Sequence, residues 1–396
     1  MAKRELKKSR DGFHFDTIYL GCVLALVGLG IVIIYSSSGE YASSRGLPDT
    51  FFLVNHLKKI VIAAIALLLG IFIDFRHWKK FARPLLFIVV GLLIFLVTSS
   101  QISGVHGAKR WISIASFGLQ PSELAKVALI FFMARFLTEK ETYMHQFKKG
   151  LLAAMVMSGL IFLLVLLQPD YSSAAIILCI SIALIFIGGA RLSHMALIGV
   201  GLVPVLAYLM ISSPYRLQRV MAFIRPGENV ASSYQSVQAL ISLGNGGIFG
   251  TGLGAGTQKL GYLPMPFTDT IFSILGEELG LVGTLACLLL FGLVIWRGIR
   301  IAYNCEDRFG SLAAVGIVVS IAITVIMHIG VCAGFFPTTG QPLPFVSYGG
   351  TALCMMMFLS GVMLNISGNK LESPATARNQ TRETFHRAMA KQRIGV

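Results

Sequence analysis

Asp269 is the acidic residue best placed for chemistry in this sequence. It follows Thr268 in the segment LPMPFTDT and stands where a polar stretch gives way to a long apolar run. A carboxylate at a boundary between water and lipid can act as a general base or bind a divalent metal ion. The alternative is an N-cap of the following helix, a role that Thr268 could fill as well.

A glycine-rich stretch precedes Asp269, and two glutamates follow it. Seven glycines between positions 244 and 256 allow the backbone to turn tightly and to approach a ligand closely. No strand precedes them as a dinucleotide-binding loop requires, so we expect no organic cofactor. Lys259 could offset a negative charge on a substrate. Glu277 and Glu278 lie about two turns into the next helix, where a buried carboxylate must be paired, and we expect one of them to be structural.

Two motifs earlier in the chain carry charged residues next to an apolar run. GAKRWI contains Arg110, and QPSELAK contains Glu123 and Lys126, three residues apart on one helical face. Basic residues beside tryptophan also anchor helices at lipid headgroups, which leaves the role of Arg110 open. Charges inside a span are costly and usually mark function, so this argument favours a functional Lys126.

Four further candidates lie in polar segments between apolar runs. Asp170 follows Pro169 and serves equally well as a helix cap or as a site residue. Arg216 and Arg219 share a helical face and either clamp a phosphate or reach lipid headgroups. Ser347 belongs to PTTGQPLPFVSYGG, whose irregular backbone must pack on protein or line a cavity. We expect this segment to wall the same cavity as Asp269.

Composition predicts an all-α polytopic membrane protein. Hydrophobic residues make up 55% of the 396 residues, charged residues only 13%, and the mean hydropathy is +0.76; a soluble protein would have about 25% charged residues. Residues 17–366 form a membrane domain with a large outer loop, 213–268, between spans 7 and 8, and residues 1–16 and 367–396 are tails. About 20 residues cross a bilayer, and ten spans fit: 17–37, 54–74, 84–100, 121–138, 150–168, 171–189, 193–212, 269–296, 310–334 and 347–366.

The distribution of charge predicts orientation rather than nucleic-acid binding. There are 33 basic and 18 acidic residues, but no nucleic-acid recognition motif. With the N-terminus inside, 22 basic residues fall in inner segments and ten in outer ones. This asymmetry predicts a multi-pass protein of the cytoplasmic membrane with both termini in the cytoplasm. The polar motifs then gather on the outer side. Six cysteines without CxxC spacing indicate neither a disulfide framework nor a zinc site.

Taken together, the motifs resemble the SEDS family (shape, elongation, division and sporulation). GAKRWI, QPSELAK, QPD, the block from Tyr234 to Gly280 and PTTGQPLPFVSYGG occur in the family's order within residues 17–366. The resemblance implies a bacterial peptidoglycan glycosyltransferase that polymerises lipid II at the outer face of the cytoplasmic membrane. It also implies a class B penicillin-binding protein as partner, in a division or elongation complex. The family's essential aspartate falls on Asp269, and its conserved charged positions fall on Arg110, Glu123 and Lys126.

The sequence departs from the family at positions near these motifs. The common LPEAHTDF reads LPMPFTDT here, so the glutamate and histidine are absent. His328 and Gln341 stand where asparagine and an aliphatic residue are common. The first span and the overall length resemble the division subfamily more than the elongation subfamily, which remains the alternative.

Two other classes of function compete with an enzyme. A lipid II transporter should place ionisable groups near the bilayer midplane, in broken helices and repeated halves. A non-catalytic scaffold would only recruit a penicillin-binding protein. The gathering of polar motifs on the outer side and the absence of a sequence repeat favour the enzyme.

The expected reaction joins two lipid-linked sugars. Asp269 would deprotonate the acceptor hydroxyl, or orient it through Mg²⁺ or Mn²⁺. Arg110, Lys126, Arg216 and Lys259 would stabilise the departing pyrophosphate, because cations bind phosphate oxygens strongly.

Overall fold

The fold is a helical bundle with one short hairpin. The structure, a computed structural model, describes residues 15–99, 110–114, 117–211, 214–224 and 230–368. Strands β1 (Ile112–Ile114) and β2 (Phe117–Leu119) pair antiparallel. The α-helices in these residues are α1 Thr17–Ser43, α2 Phe51–Phe72, α3 Phe75–Thr98, α4 Pro121–Glu139, α5 Leu152–Leu166, α6 Tyr171–Ile187, α7 Leu192–Ile211, α8 Pro214–Ile224, α9 Val230–Asn245, α10 Ile271–Tyr303, α11 Arg308–Cys332 and α12 Gly350–Ser367.

All ten predicted spans are helices, and the prediction of an all-α polytopic membrane protein is confirmed. Seven helices in the described residues are long and apolar enough to cross a membrane: α1, α2, α3, α5 together with the preceding π-helical turn Phe147–Leu151, α10, α11 and α12. Helices α6 and α7 are apolar but contribute shorter stretches. Helix α4 has 19 residues and carries the charged Glu123 and Lys126.

Helix α3 begins nine residues before the predicted span. Asp74 caps it by accepting a hydrogen bond from the backbone N–H of Arg76 at 3.0 Å, and Pro84 lies inside the helix. The basic residues of 75–83 therefore belong to helical turns rather than to a loop. Their long side chains can carry charge to the headgroups while the helix continues towards the membrane.

The predicted outer loop 213–268 also contains regular structure. Helices α8 and α9 occupy its first half, and the glycine-rich segment follows α9. Helix α10 then extends to Tyr303, beyond the predicted end at 296.

Small residues bring α2 and α12 into direct backbone contact. A Cβ added to Gly70 would lie 2.5 Å from the carbonyl oxygen of Phe358. A Cβ on Gly361 would lie 2.1 Å from the carbonyl oxygen of Leu67. Small residues drive such close packing between membrane helices, where lipid supplies no hydrophobic contrast.

The two described termini meet at one end of the bundle. The N–H of Asp16 donates to Ser367 Oγ at 3.0 Å, whereas Asp269 lies at the opposite end, where α10 begins. We call these the inner and outer ends, following the charge distribution. Which end faces the cytoplasm stays a prediction.

Candidate active site

Asp269 lies at the outer end with a carboxylate that does not cap α10. The residue in the N-cap position is Thr270. Asp269 Oδ2 accepts a hydrogen bond from Gln235 Nε2 at 3.2 Å, and Oδ1 accepts one from Thr268 Oγ1 at 2.9 Å. The side chain is partly exposed, and no lysine or arginine in the described ranges forms a salt bridge with it. Asp269 is therefore a charged, accessible acceptor.

The segment 333–349, which joins α11 to α12, forms one wall around Asp269. A Cβ on Gly340 would lie 3.9 Å from Asp269 Oδ2. The preceding carbonyls of Thr338 and Thr339 accept hydrogen bonds from Arg219 Nη1 at 2.9 Å and Ser172 Oγ at 2.8 Å. Helices α6 and α8 thus hold this segment beside the carboxylate.

Glu123 and Lys126 form a buried ion pair on α4. Lys126 Nζ lies 2.7 Å from Glu123 Oε1, and each side chain is only 2% exposed. With Gln341 and Ser347 they line a cavity about the size of one water molecule. Ser347 Oγ accepts from the N–H of Leu343 at 2.8 Å and so stabilises the local turn. Glu123 and Lys126 thus lie across this small cavity from segment 333–349.

Asp170 joins α4 to α6. It caps α6, since Oδ1 accepts from the N–H of Ser173 at 3.3 Å. Its other oxygen accepts from Gln120 Nε2 at 3.1 Å and Ser122 Oγ at 2.8 Å. With these three partners, Asp170 is a buried structural carboxylate that positions the neighbouring elements.

The predicted arginines lie in two places, Arg110 just before β1 and Arg216 and Arg219 in α8. Arg110 donates through Nε to the carbonyl of Gln168 at 3.4 Å and through Nη2 to the carbonyl of Pro169. These acceptors are neutral, and no carboxylate within the described residues forms a salt bridge with Arg110. Arg216 lies in α8, but its side chain is outside the described part of the chain.

Lys259 lies apart from this group. Its Nζ is 2.6 Å from Glu278 Oε1 and 3.0 Å from Ser36 Oγ, and the lysine side chain is 7% exposed. This contact joins the glycine-rich segment to α1 and α10. Lys259 is therefore held in a structural ion pair rather than presented next to Asp269.

Glu277 is held by hydrogen bonds alone. Its Oε1 accepts from the N–H and hydroxyl of Thr257 at 2.7 and 3.0 Å. Its Oε2 accepts from Ser242 Oγ at 3.1 Å and from the N–H of Gln258 at 3.3 Å. Both glutamates are thus structural, where the sequence predicted this of one.

The glycine-rich segment fills a break in α10. Gly280 has φ 66° and ψ −163°, a conformation accessible essentially only to glycine. The N–H groups of Leu281 and Val282 donate to the carbonyls of Gly247 and Ile248 at 2.9 and 3.1 Å. In return, the carbonyls of Glu277 and Glu278 accept from the N–H groups of Thr251 and Gly252, at 2.9 and 3.1 Å.

Two of these glycines approach the protein's own backbone, and an approach of the others to a ligand stays a prediction. A Cβ on Gly246 would lie 1.9 Å from the carbonyl oxygen of Gly276, and one on Gly250 would lie 2.2 Å from that of Glu278. The close approach is to the backbone of α10.

Comparison with known proteins decides the family. Residues 16–372 match the model of the cell cycle protein family that comprises FtsW, RodA and SpoVE. The chain belongs to this family. Stage V sporulation protein E of Bacillus subtilis is 38% identical over 353 residues, which cover 89% of this chain and 96% of that protein. A probable peptidoglycan glycosyltransferase FtsW of Trichlorobacter lovleyi is 37% identical, covering 92% and 96%.

Solved structures share the fold. A chain from a peptidoglycan synthase complex, solved to study the coordination of polymerisation and crosslinking, superimposes with a TM-score of 0.76 at 24% identity. It covers 91% of this chain and 100% of its own length. Thermus thermophilus RodA gives a TM-score of 0.67 at 25% identity, covering 91% and 98%.

The structure also brings residues to the outer end that the sequence analysis did not select. Lys59 Nζ lies 3.5 Å from the ring centre of Tyr348, whose N–H donates to the carbonyl of Phe267 at 3.0 Å. His56 is buried one turn away on α2, with neither ring nitrogen hydrogen-bonded within the described structure. A lysine inside an apolar run was the available signal, the same one that drew attention to Lys126.

Proposed function

We infer that this protein is a peptidoglycan glycosyltransferase that polymerises lipid II, with Asp269 as the catalytic residue. The observation that carries the assignment of Asp269 is its contrast with the other acidic residues. It is partly exposed, caps no helix and has no cationic partner in the described residues. Membership of the family and the relatives named as peptidoglycan glycosyltransferases support the activity.

In the proposed step, Asp269 accepts the proton of the 4-hydroxyl of the acceptor N-acetylglucosamine. The hydroxyl oxygen forms a bond to the anomeric carbon of the donor N-acetylmuramic acid. The bond from that carbon to the pyrophosphate oxygen breaks, and undecaprenyl pyrophosphate leaves. One carboxylate base without a carboxylate nucleophile implies direct displacement with inversion from α to β.

The leaving pyrophosphate requires positive charge. Arg110 forms no salt bridge within the described residues, and the ammonium of Lys59 lies 3.5 Å from the ring centre of Tyr348. We assign the leaving-group role to these two residues, with Arg216 and Arg219 as further contributors from α8. We assign structural roles to Lys126 and Lys259, because each forms an ion pair with a glutamate.

A divalent metal ion fits this site only together with substrate. No group of three His, Cys, Asp or Glu side chains in the described ranges could hold a metal. Mg²⁺ is commonly bound through one or two carboxylates, water and substrate phosphates. Asp269 would supply the one carboxylate ligand, and a bound Mg²⁺ or Mn²⁺ would offset charge on the pyrophosphate.

The broken helix α10 is the feature that most resembles a transporter. Transporters place substrate at such breaks, using unwound backbone groups as ligands. Here the protein's own residues 247–252 bond to those backbone groups, and Lys259 and Ser36 pair with Glu278. The backbone groups at the break are bonded to the protein's own chain, so they do not serve as substrate ligands. This favours the enzyme over a lipid II transporter.

The cellular setting follows from the relatives. We propose that the protein acts in cell division, since several relatives are named FtsW, and that a class B penicillin-binding protein crosslinks its product. The peptidoglycan synthase complex that shares the fold supports a partnership of this kind. We also propose that the termini lie in the cytoplasm and Asp269 at the outer membrane face.

The deciding experiment is polymerisation of lipid II by purified protein with its cognate transpeptidase. General-base catalysis contributes about 10²- to 10⁴-fold, so Asp269→Asn should reduce glycan formation by at least about 10²-fold. Asp49→Asn, which alters an exposed outer carboxylate, is the matched control and should stay active. Moenomycin in every reaction excludes contaminating polymerases.

Chelation distinguishes a base from a metal ligand. If EDTA abolishes activity and Mg²⁺ or Mn²⁺ restores it, the reaction requires a metal ion, and Asp269 is the carboxylate that we propose as its protein ligand. If Asp269→Asn polymerises lipid II like the wild type, the catalytic assignment is wrong. If the wild type forms no glycan with a competent partner, the scaffold and transporter hypotheses replace the enzyme.

A further inference from the structure

A second polar cavity lies at the inner end of the bundle, away from Asp269. Its volume is about 190 Å³, more than ten times the roughly 10–15 Å³ that one water molecule needs on the same measure. Its polar lining comes from Asp16, Arg297, Arg300, Asn304 and Ser367. Along α10 the cavity is about 40 Å from the helix start beside Asp269, at 1.5 Å per residue.

Asp16 and Arg297 build the rigid side of this cavity. Arg297 Nε donates to both carboxylate oxygens of Asp16, at 3.1 and 3.0 Å. Asp16 also caps α1 by accepting from the N–H of Tyr19 at 3.0 Å, and its own N–H donates to Ser367 Oγ. These contacts join the ends of α1, α10 and α12, so the cavity wall is ordered before any ligand binds.

Arg300 supplies a charge that the cavity does not offset. It lies one turn after Arg297, and no carboxylate among the described residues pairs with it. Its guanidinium carbon is 5.2 Å from the ring centre of Trp296, and that of Arg297 is 5.6 Å from the same ring. Among these residues, two guanidinium groups and one carboxylate leave a net charge of about +1, and the exposed side chain of Arg300 makes that charge accessible to an anion.

The position of Trp296 indicates where that anion resides. Trp296 is 50% exposed on the outside of the bundle, and tryptophan concentrates at the level of lipid headgroups. Arginine binds phosphate oxygens through two parallel N–H groups, and Asn304 and Ser367 add uncharged polar groups. This region therefore combines an apolar surface at Trp296 with polar side chains in the cavity that suit a phosphate group.

We propose that this cavity binds the phosphate group of an anionic phospholipid of the inner leaflet, with Arg300 as the principal contact. The proposal is independent of the glycosyltransferase assignment, because none of its residues takes part in the reaction. A soluble phosphate has the same recognised group, so the test must separate the two sources.

The test titrates purified full-length protein in zwitterionic detergent with short-chain phosphatidylglycerol, phosphatidylcholine or inorganic phosphate, read by native mass spectrometry and thermal unfolding. Phosphatidylglycerol should bind the wild type most tightly. Arg300→Gln should weaken that binding about tenfold, and Arg300→Lys should fall between the two. Lys80→Gln removes one exposed charge from the same end of the bundle and should bind like the wild type.

Three results would overturn the proposal. Equal weakening by Lys80→Gln would show only general attraction to a basic surface. Equal binding of phosphatidylcholine would show that net charge is not recognised. Inorganic phosphate binding as tightly as phosphatidylglycerol would assign the cavity to a soluble anion. Unliganded Arg300→Gln should melt like the wild type, which separates loss of binding from loss of folding.

Discussion

Asp269 and Glu277 are carboxylates on one short stretch of chain, yet their surroundings are opposite. Asp269 is partly exposed and accepts two side-chain hydrogen bonds, one of them from the adjacent Thr268. Glu277 is fully buried, and both of its oxygens accept from backbone and hydroxyl donors. A carboxylate with unfilled acceptor capacity can take up a proton or a ligand. One whose acceptors are all used contributes to stability.

The largest expected effect lies on the structural side of this comparison. Lys259→Met leaves Glu278 buried and charged with only Ser36 as a partner, which should lower the free energy of unfolding by about 3–5 kcal/mol. Adding Glu278→Gln should recover much of that loss, because the double variant buries no unpaired charge. Thermal unfolding of the purified variants in detergent measures both. Independent, additive losses would contradict the pairing.

Gly280→Ala tests the non-helical backbone conformation three residues after Glu277. The substitution combines a positive φ with a Cβ only 2.3 Å from the N atom of Gly250, so it should cost about 3 kcal/mol of stability. Gly292→Ala in the same helix is the control, since nothing lies within 4 Å of its added Cβ. That change should be neutral or stabilise by up to about 1 kcal/mol. Equal melting temperatures for the two variants would argue against the break.

Asp170→Asn and Asp269→Asn separate a structural from a functional aspartate by stability alone. Asp170→Asn should lower the free energy of unfolding by about 1–3 kcal/mol, because an amide cannot accept all three hydrogen bonds of the carboxylate. Asp269→Asn should change the free energy of unfolding by less than about 1 kcal/mol, because that side chain is partly hydrated. If Asp269→Asn is the less stable protein, its loss of activity would no longer identify a catalytic residue.

The smallest expected effect concerns Gln235, which donates to Asp269. Removing one hydrogen bond worth about 0.5–1.5 kcal/mol should slow polymerisation by about tenfold or less in Gln235→Ala. Gln238→Ala, on the same helix α9, should leave the rate unchanged. A loss as large as that of Asp269→Asn would give Gln235 a direct part in the reaction.

Local features of the fold were readable from sequence, and long-range partners were not. Apolar runs of sufficient length located the ten spans, and the spacing of Glu123 and Lys126 placed them on one face of α4. Lys259 and Ser36 are 223 residues apart, and no periodicity indicates that they meet at Glu278. The close approach that Gly246 and Gly250 allow was expected to be to a ligand. Their partner proved to be α10, because a broken helix also requires donors and acceptors.

The surroundings of the candidate site were predictable to a similar extent, and the catalytic role of Asp269 stays a prediction. Asp269 was identifiable from its place at the end of a polar stretch, whereas its neighbours Gln235 and Gly340 depend on how α9 and segment 333–349 fold back. Lys59 carried a usable signal, since a charge within an apolar run is costly wherever it occurs.

The break at Gly280 has a consequence for how the protein is made. Residues 247–252 bond to two N–H groups and two carbonyls that a continuous helix would pair with each other, Leu281 with Glu277 and Val282 with Glu278. The first turns of α10 can therefore form a regular helix before the glycine-rich segment docks, and the break arises when the segment replaces those two helical bonds. Docking should exchange two helical bonds for four bonds to the segment in one cooperative step, and a ribosome-bound chain that ends before Gly280 should leave the glycine-rich segment accessible to protease.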